Sequence, residues 1–262
     1  MKRLTIILSV AVAIALSSCS KETFESKVIS IERVDSLKYT LVTSEVYPGR
    51  NDTIKVWIGL PDEWDGRFVG TGGAGFYGGR VSNAVKYALK GMVGVACHGG
   101  HAATDWTFLL NKKTGKLDKV MAEDFGYYGV HVMTVYAKQY VKEHYGREPH
   151  HSYFIGNSSG GRHGLHVAEK YSDDYDGIFS GCPAWHNEVY VLSRSWAQVV
   201  MKEENHLIPK AVFDAVRDTL TAYEDGRDGV VDGIVNNPFD IEFDINTLVG
   251  TKVAGRDFTQ KD

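Results

Sequence analysis

Only three cysteines and six prolines occur in 262 residues, and Lys and Arg never gather into a block. An odd number of cysteines cannot all pair. Six prolines against 28 glycines point to many tight loops rather than to disorder. With no basic run and a formal net charge of −4, a nucleic-acid surface is excluded. The apolar run Leu4 to Leu16 falls short of the roughly 20 residues of a membrane-spanning helix. Internal repeats and low-complexity tracts are absent as well. What remains is ordinary for a globular protein, with 43% hydrophobic and 24% charged residues. The length suits one large domain or two small ones.

The first residues read as an address, not as part of a fold. Lys2 and Arg3 precede the apolar run, and Leu16-Ser17-Ser18-Cys19 follows it. A basic start, a run of this length and small residues before a cut form a secretory signal over residues 1–18. Leu-Ser-Ser-Cys resembles the lipobox of bacterial lipoproteins. That implies an exported chain beginning at a lipidated Cys19, held at a membrane surface by acyl chains without spanning it. Plain secretion with a chance cysteine is the alternative.

Downstream, strand and helix patterns alternate. Val28–Ile31 and Tyr39–Val42 read as short strands, and Ile54, Val56, Ile58 and Leu60 alternate on one face of a third. Arg67–Val69 is a strand running into a glycine loop at 70–79; Asn83–Leu89 reads as a short helix and Met92–Cys97 as a buried strand. Asp124–Tyr145 is helical, with Tyr128, Val132, Val135, Tyr136 and Tyr140 near one face. Tyr153–Ile155 is a strand, a helix follows from about Gly161 to Tyr171, and Ile178–Ser180 is a further strand. Such alternation predicts an α/β fold with a mostly parallel sheet covered on both faces. Beyond Trp185 the pattern changes to helices at Glu188–Glu204 and Pro209–Tyr223, then loop-like sequence.

The chemistry centres on Gly156-Asn157-Ser158-Ser159-Gly160, a G-x-S-x-G between strand and helix. A nucleophile elbow needs that setting, a tight turn exposing one hydroxyl, here Ser158. A helix N-terminus beside it favours developing negative charge. The upstream glycine loop stands where an oxyanion amide is drawn from, so Gly72 or Gly73 together with Ser159 are the expected donors. That loop lacks the Lys-Ser/Thr of a phosphate-binding loop. His98 and His101, three apart with no evident third ligand, read as pocket-lining residues rather than metal ligands. Asp225, Asp228 and Asp232 punctuate a run of Asp-Gly turns, which explains them about as well as a metal does.

Several of these stretches together resemble the tannase and feruloyl esterase family. They are Gly66-Arg67-Phe68, Glu123-Asp124-Phe125-Gly126-Tyr127, Gly156 to Arg162, Asp174-Tyr175-Asp176-Gly177-Ile178, and Asp228-Gly229-Val230-x-Asp232-Gly233-Ile234. The resemblance runs in order from about Asp62 to about Val249. It implies an α/β-hydrolase core over residues 19–186, incomplete on its C-terminal side, and the beginning of an inserted, mainly helical lid over 187–262. It implies cleavage of phenolic esters such as galloyl or feruloyl esters, with Ser158 as nucleophile and no organic cofactor. It also implies calcium in the lid, held by Asp225, Asp228 and Asp232 with the carbonyls of Val230 and Ile234. In the sheet order of such a core, two strands separate those ending in Cys97 and Cys182. That gap of roughly 14 Å forbids a disulfide between them.

Two departures stand out. The family's cysteine before the nucleophile is Asn157 here, so its brace to a cysteine near the catalytic histidine is missing. The family's acid and histidine follow the calcium loop, and are expected beyond Asp262. Within the chain only His186 could substitute, since His163 and His166 project from the elbow helix and His206 lies in the lid region. The expected function is therefore a serine ester hydrolase represented by an N-terminal portion, inactive alone. The alternative is a non-catalytic surface lipoprotein that binds a ligand or calcium through the same cleft and loop. The ester and the oligomeric state are not specified by the residues.

Overall fold

A computed structural model describes residues 22–262 together with the backbone of Leu4–Ile6. Most of the expected signal segment, including Cys19, lies outside the described residues. Contacts divide the chain into two compact units, one ending at Trp185 and the other spanning His186–Asp262.

The first unit is built on an eight-stranded mixed sheet. Its strands are β1 (Leu4–Ile6), β2 (Glu25–Val34), β3 (Tyr39–Tyr47), β4 (Ile54–Pro61), β5 (Arg67–Thr71), β6 (Val93–Cys97), β7 (His151–Asn157) and β8 (Gly177–Gly181). They lie in the order β1-β2-β3-β4-β6-β5-β7-β8. The first four and β6 pair antiparallel, and β6, β5, β7 and β8 pair parallel. The alternation in β4 is as expected: Ile54, Val56, Ile58 and Leu60 are all buried. Every residue of β6 is buried, as a central strand covered on both faces requires.

Helices close the layers. They are α1 (Val81–Ala88), α2 (Lys119–Glu123), α3 (Gly129–Tyr145) and α4 (Ser159–Lys170). The long helix differs from expectation in two ways. It is preceded by a π-helical turn at Asp124–Tyr128. Its innermost stripe is Val130, Met133, Ala137 and Val141, flanked by Val132 and Tyr136, whereas Val135 and Tyr140 are only partly buried. The π turn adds a residue to the local repeat and rotates the stripe away from Tyr128. The buried Tyr136 hydroxyl donates to Ser44 Oγ at 2.7 Å, satisfying two polar groups inside the core.

Cys97 ends β6 and Cys182 follows β8, with β5 and β7 between them, and both are free thiols. The second unit holds α5 (Asn187–Glu203), α6 (Lys210–Glu224) and a small hairpin, β9 (Lys252–Val253) with β10 (Arg256–Asp257). The hairpin falls in sequence that reads as loop, because two-residue strands carry no periodicity. Val212, Val253 and Phe258 form the core of this unit. Among the described residues, no helix is long and apolar enough to cross a membrane.

Candidate active site

Strand β7 delivers the chain to Ser158, and α4 starts one residue later. Ser158 is exposed and adopts φ 56°, ψ −121°, backbone angles that a side-chain-bearing residue rarely takes. Such a conformation costs about 1–3 kcal/mol and persists only when its surroundings impose it. Here they do. Its N–H donates to Gly181 O at 3.1 Å, and its carbonyl accepts N–H bonds from Arg162 and Ala184, each at 3.0 Å.

The glycines of the motif are demanded by close approach. A Cβ on Gly156 would stand 2.1 Å from Gly160 O, and one on Gly72 would stand 2.5 Å from Gly160 Cα. The glycine loop after β5 therefore lies backbone-to-backbone against the first turn of α4. Ser159 Oγ donates to Gly75 O at 2.6 Å and ties the loop there. Gly73 N–H is directed elsewhere, to Nδ1 of His163 at 3.3 Å. His163 Nε2 donates in turn to Phe125 O at 2.7 Å. Burial, reinforced by neighbouring Arg162, pushes the His163 imidazole down to about 3.

Sequence reasoning set His163 aside as a ring projecting from the elbow helix. It does project from the helix, but into the loop that packs on the elbow. The overlooked signal was its place one turn beyond Ser158, beside glycines too bare to position themselves. The other histidines after Ser158 lie near carboxylates. His166 Nδ1 lies 3.5 Å from Glu169, the exposed His186 lies 3.4 Å from Glu188, and His206 Nε2 meets Asp262 at 2.9 Å.

His98 and His101 occupy the loop after β6. His98 Nδ1 accepts Gly100 N–H at 3.0 Å, and burial lowers its pKa to about 4. His101 stacks on Phe108 with ring centroids 3.5 Å apart and meets the edge of Phe125, whose ring also faces His163. Burial lowers the His101 pKa as well. His101 is thus part of an aromatic cluster that includes Phe76, and the pKa of both rings is lowered.

Behind this loop sits a buried charge cluster that the sequence did not disclose. Arg50 reaches Glu123 at 2.7 Å, Asp52 at 3.4 Å and Asp124, and its guanidinium lies 3.9 Å from the Tyr128 ring centre. The side chains of Asp52 and Asp124 are fully covered, and one oxygen of each has no hydrogen-bond partner. Burial and the Asp52 carboxylate push Asp124 up to about 8, against the pull of Arg50.

In the second unit, the aspartates of the expected calcium loop cap its own backbone. Asp225 Oδ1 accepts the N–H groups of Asp232 at 2.9 Å and Gly233 at 3.1 Å. Asp228 Oδ1 accepts from Val230 at 2.9 Å, and Asp232 Oδ1 from Ile234 at 3.0 Å. The carboxylates do not converge: among the described residues, no group of three or more His, Cys, Asp or Glu is placed to hold a metal ion. As arranged, these donors do not form a calcium shell.

Comparison with known proteins adds to this geometry. A family model described as tannase and feruloyl esterase matches residues 40–257. The chain is 37% identical over 214 residues to a probable feruloyl esterase of Arthroderma benhamiae, covering 78% of this chain and 39% of that protein. It is 31% identical over 209 residues to a mono(2-hydroxyethyl) terephthalate hydrolase of Piscinibacter sakaiensis, covering 70% and 34%. Among solved structures, feruloyl esterase B from Aspergillus oryzae superposes with a TM-score of 0.70 at 22% identity, over 99% of this chain and 50% of that one. Tannin acyl hydrolase from Aspergillus niger gives 0.65 at 21% identity, over 95% and 44%. At those identities the structures establish the fold, of α/β-hydrolase type, and the chain spans well under half of the length of these curated relatives. With the matched region running from β3 to β10 and taking in the whole elbow, the chain belongs to the tannase and feruloyl esterase family.

Proposed function

We propose that this chain is the nucleophile-bearing part of a serine hydrolase that cleaves phenolic carboxylic esters. The observation that carries the reading is Ser158, exposed at a strained strand-to-helix turn at the N-terminus of α4. Its oxygen attacks the ester carbonyl carbon, and the carbonyl π electrons move onto oxygen. That oxyanion accepts N–H bonds from Ser159 and Gly72, since Gly73 N–H is given to His163. Collapse expels the alcohol, which takes the former serine proton from the base, and leaves an acyl-serine that water hydrolyses. Each amide donor is worth about 3 kcal/mol in the transition state. The base that takes the serine proton is proposed to come, with its acidic partner, from sequence beyond Asp262. In support, His163 is held between Gly73 N–H and Phe125 O, and His206 Nε2 meets Asp262 at 2.9 Å.

The test compares the full-length protein with its Ser158→Ala variant on feruloyl and galloyl esters. The variant should lose about 10⁴–10⁶ in kcat. A fluorophosphonate should label Ser158 in the full-length protein and not in residues 1–262 alone. Unlabelled full-length protein would instead favour a ligand-binding surface protein. Export and lipidation at Cys19 are proposed from the leader sequence, and the mass of the mature N-terminus decides them. Calcium in the Asp225–Ile234 loop is proposed from the family resemblance, and binding it requires the three aspartates to swing together.

A further inference from the structure

We propose that His163 is a positioning residue whose ring, clamped between Gly73 and Phe125, fixes how the Gly72–Gly73 peptide is presented to the Ser158 turn. The inference rests on the ester-hydrolase reading for its catalytic consequence, though not for the clamp itself.

The chemistry of the two partners determines the state of the ring. Gly73 N–H can only donate, so Nδ1 must be an unprotonated acceptor; Phe125 O can only accept, so Nε2 must carry the proton. Both ring nitrogens are therefore used, and the imidazole is neutral in a single tautomer. The ring is 1% exposed, and the Phe125 side chain meets it edge-on with centroids 5.9 Å apart. The Arg162 guanidinium, with Nη2 3.4 Å from Nε2, further opposes a positive ring through its charge. Charging His163 would set an N–H on Nδ1 against the N–H of Gly73 and open the clamp.

Such a clamp answers a local need. Residues 70–79 include Gly70, Gly72, Gly73, Gly75, Gly78 and Gly79, so the loop has many accessible backbone states. Ser159 Oγ holds the loop at Gly75, and Asn83 Nδ2 approaches Gly72 O at 3.5 Å, so His163 supplies the partner for the other end of the 72–73 peptide. His163 rides α4 one turn beyond Ser158, so it moves as one body with the elbow. By fixing the Gly72–Gly73 peptide through Gly73 N–H, it also sets the preceding Thr71–Gly72 peptide, whose Gly72 N–H is left as the loop's donor toward a substrate oxygen.

The test begins with ¹⁵N-labelled residues 1–262 and requires no turnover. A trans-hydrogen-bond coupling between Gly73 N and His163 Nδ1, with ring shifts of the Nε2-protonated tautomer, is expected. Three variants then separate the two bonds. His163→Asn keeps an acceptor near the place of Nδ1, His163→Gln keeps a donor near that of Nε2, and His163→Leu keeps neither. In the full-length protein, His163→Gln and His163→Leu should lose about 100-fold in kcat with KM within about twofold, while His163→Asn stays within about fivefold. Losses that follow melting temperature instead of the Gly73 bond would overturn the positioning role. Absence of the coupling, with Nδ1 protonated, would overturn the clamp whether or not any ester is cleaved. An intact clamp in a full-length protein that cleaves no ester would overturn the hydrolase reading and leave the clamp standing.

Discussion

At the scale of single residues, the strain at Ser158 is the feature most open to measurement. Replacing serine by glycine removes the Cβ that makes φ 56° costly, and keeps the three backbone bonds to Gly181, Arg162 and Ala184. Ser158→Gly should therefore stabilise the chain by about 1 kcal/mol, or roughly 2–4 °C in Tm, where Ser158→Ala does not. Equal melting of the two variants would show that the turn stores no strain. Ser158 was legible because G-x-S-x-G between a strand and a helix is a local pattern, written in consecutive residues. His163 was not, because its two partners, Gly73 and Phe125, lie 90 and 38 residues away in the chain. No spacing rule links an imidazole to a distant backbone amide.

At the scale of elements, strands were easier to foresee than helix faces. The alternation of β4 is a two-residue period and survives intact, whereas the stripe of α3 was displaced by a π turn that composition does not announce. The Asp225–Ile234 loop shows the opposite difficulty. Its aspartates suit both Asx-type turns and metal ligation, and the hydrogen bonds described are those of turns. Each bond uses Oδ1, so the second oxygen of each carboxylate remains for an ion. If calcium binds, adding it to the chelator-treated protein should raise Tm, by about 2.7 kcal/mol of stabilisation at 100 times Kd. Asp228→Asn and Asp232→Asn should blunt that response. A Tm indifferent to calcium and to chelator would remove the metal from the reading.

On the scale of the whole molecule, buried titratable groups impose opposing pH dependences. His163 and His98 have folded pKa values of about 3 and 4, below the ordinary 6.5. As pH falls below 6.5 the unfolded chain takes up protons that these rings refuse, so stability drops on the acid side. Asp124 acts in reverse: its pKa is raised from 3.8 to about 8, so the folded chain holds a proton that the unfolded chain releases. Stability from Asp124 is lost as pH climbs toward 8. His131, which burial lowers but the Asp174 and Glu22 carboxylates raise on balance, adds a loss above 6.5. Each group contributes a slope of up to about 1.4 kcal/mol per pH unit. Tm should therefore peak near pH 6.5, and Asp124→Asn, which removes a negative slope running from 3.8 to about 8, should flatten the alkaline limb and steepen the acid one. An unchanged alkaline limb in that variant would show that the pair with Asp52 shares no proton. The fold class was readable because it follows from alternation along the chain. The Arg50–Asp52–Asp124 cluster was not, since it joins residues some 74 positions apart.

The two free thiols differ in a way that experiment can exploit. Cys97 is buried, with its thiol pushed up to about 12, while Cys182 is exposed. Cys182 also sits between Gly181 and Ala184, the residues whose backbones grip Ser158. A maleimide dye would accordingly attach to one described position, and its emission would report motion of the bend without any engineered mutation.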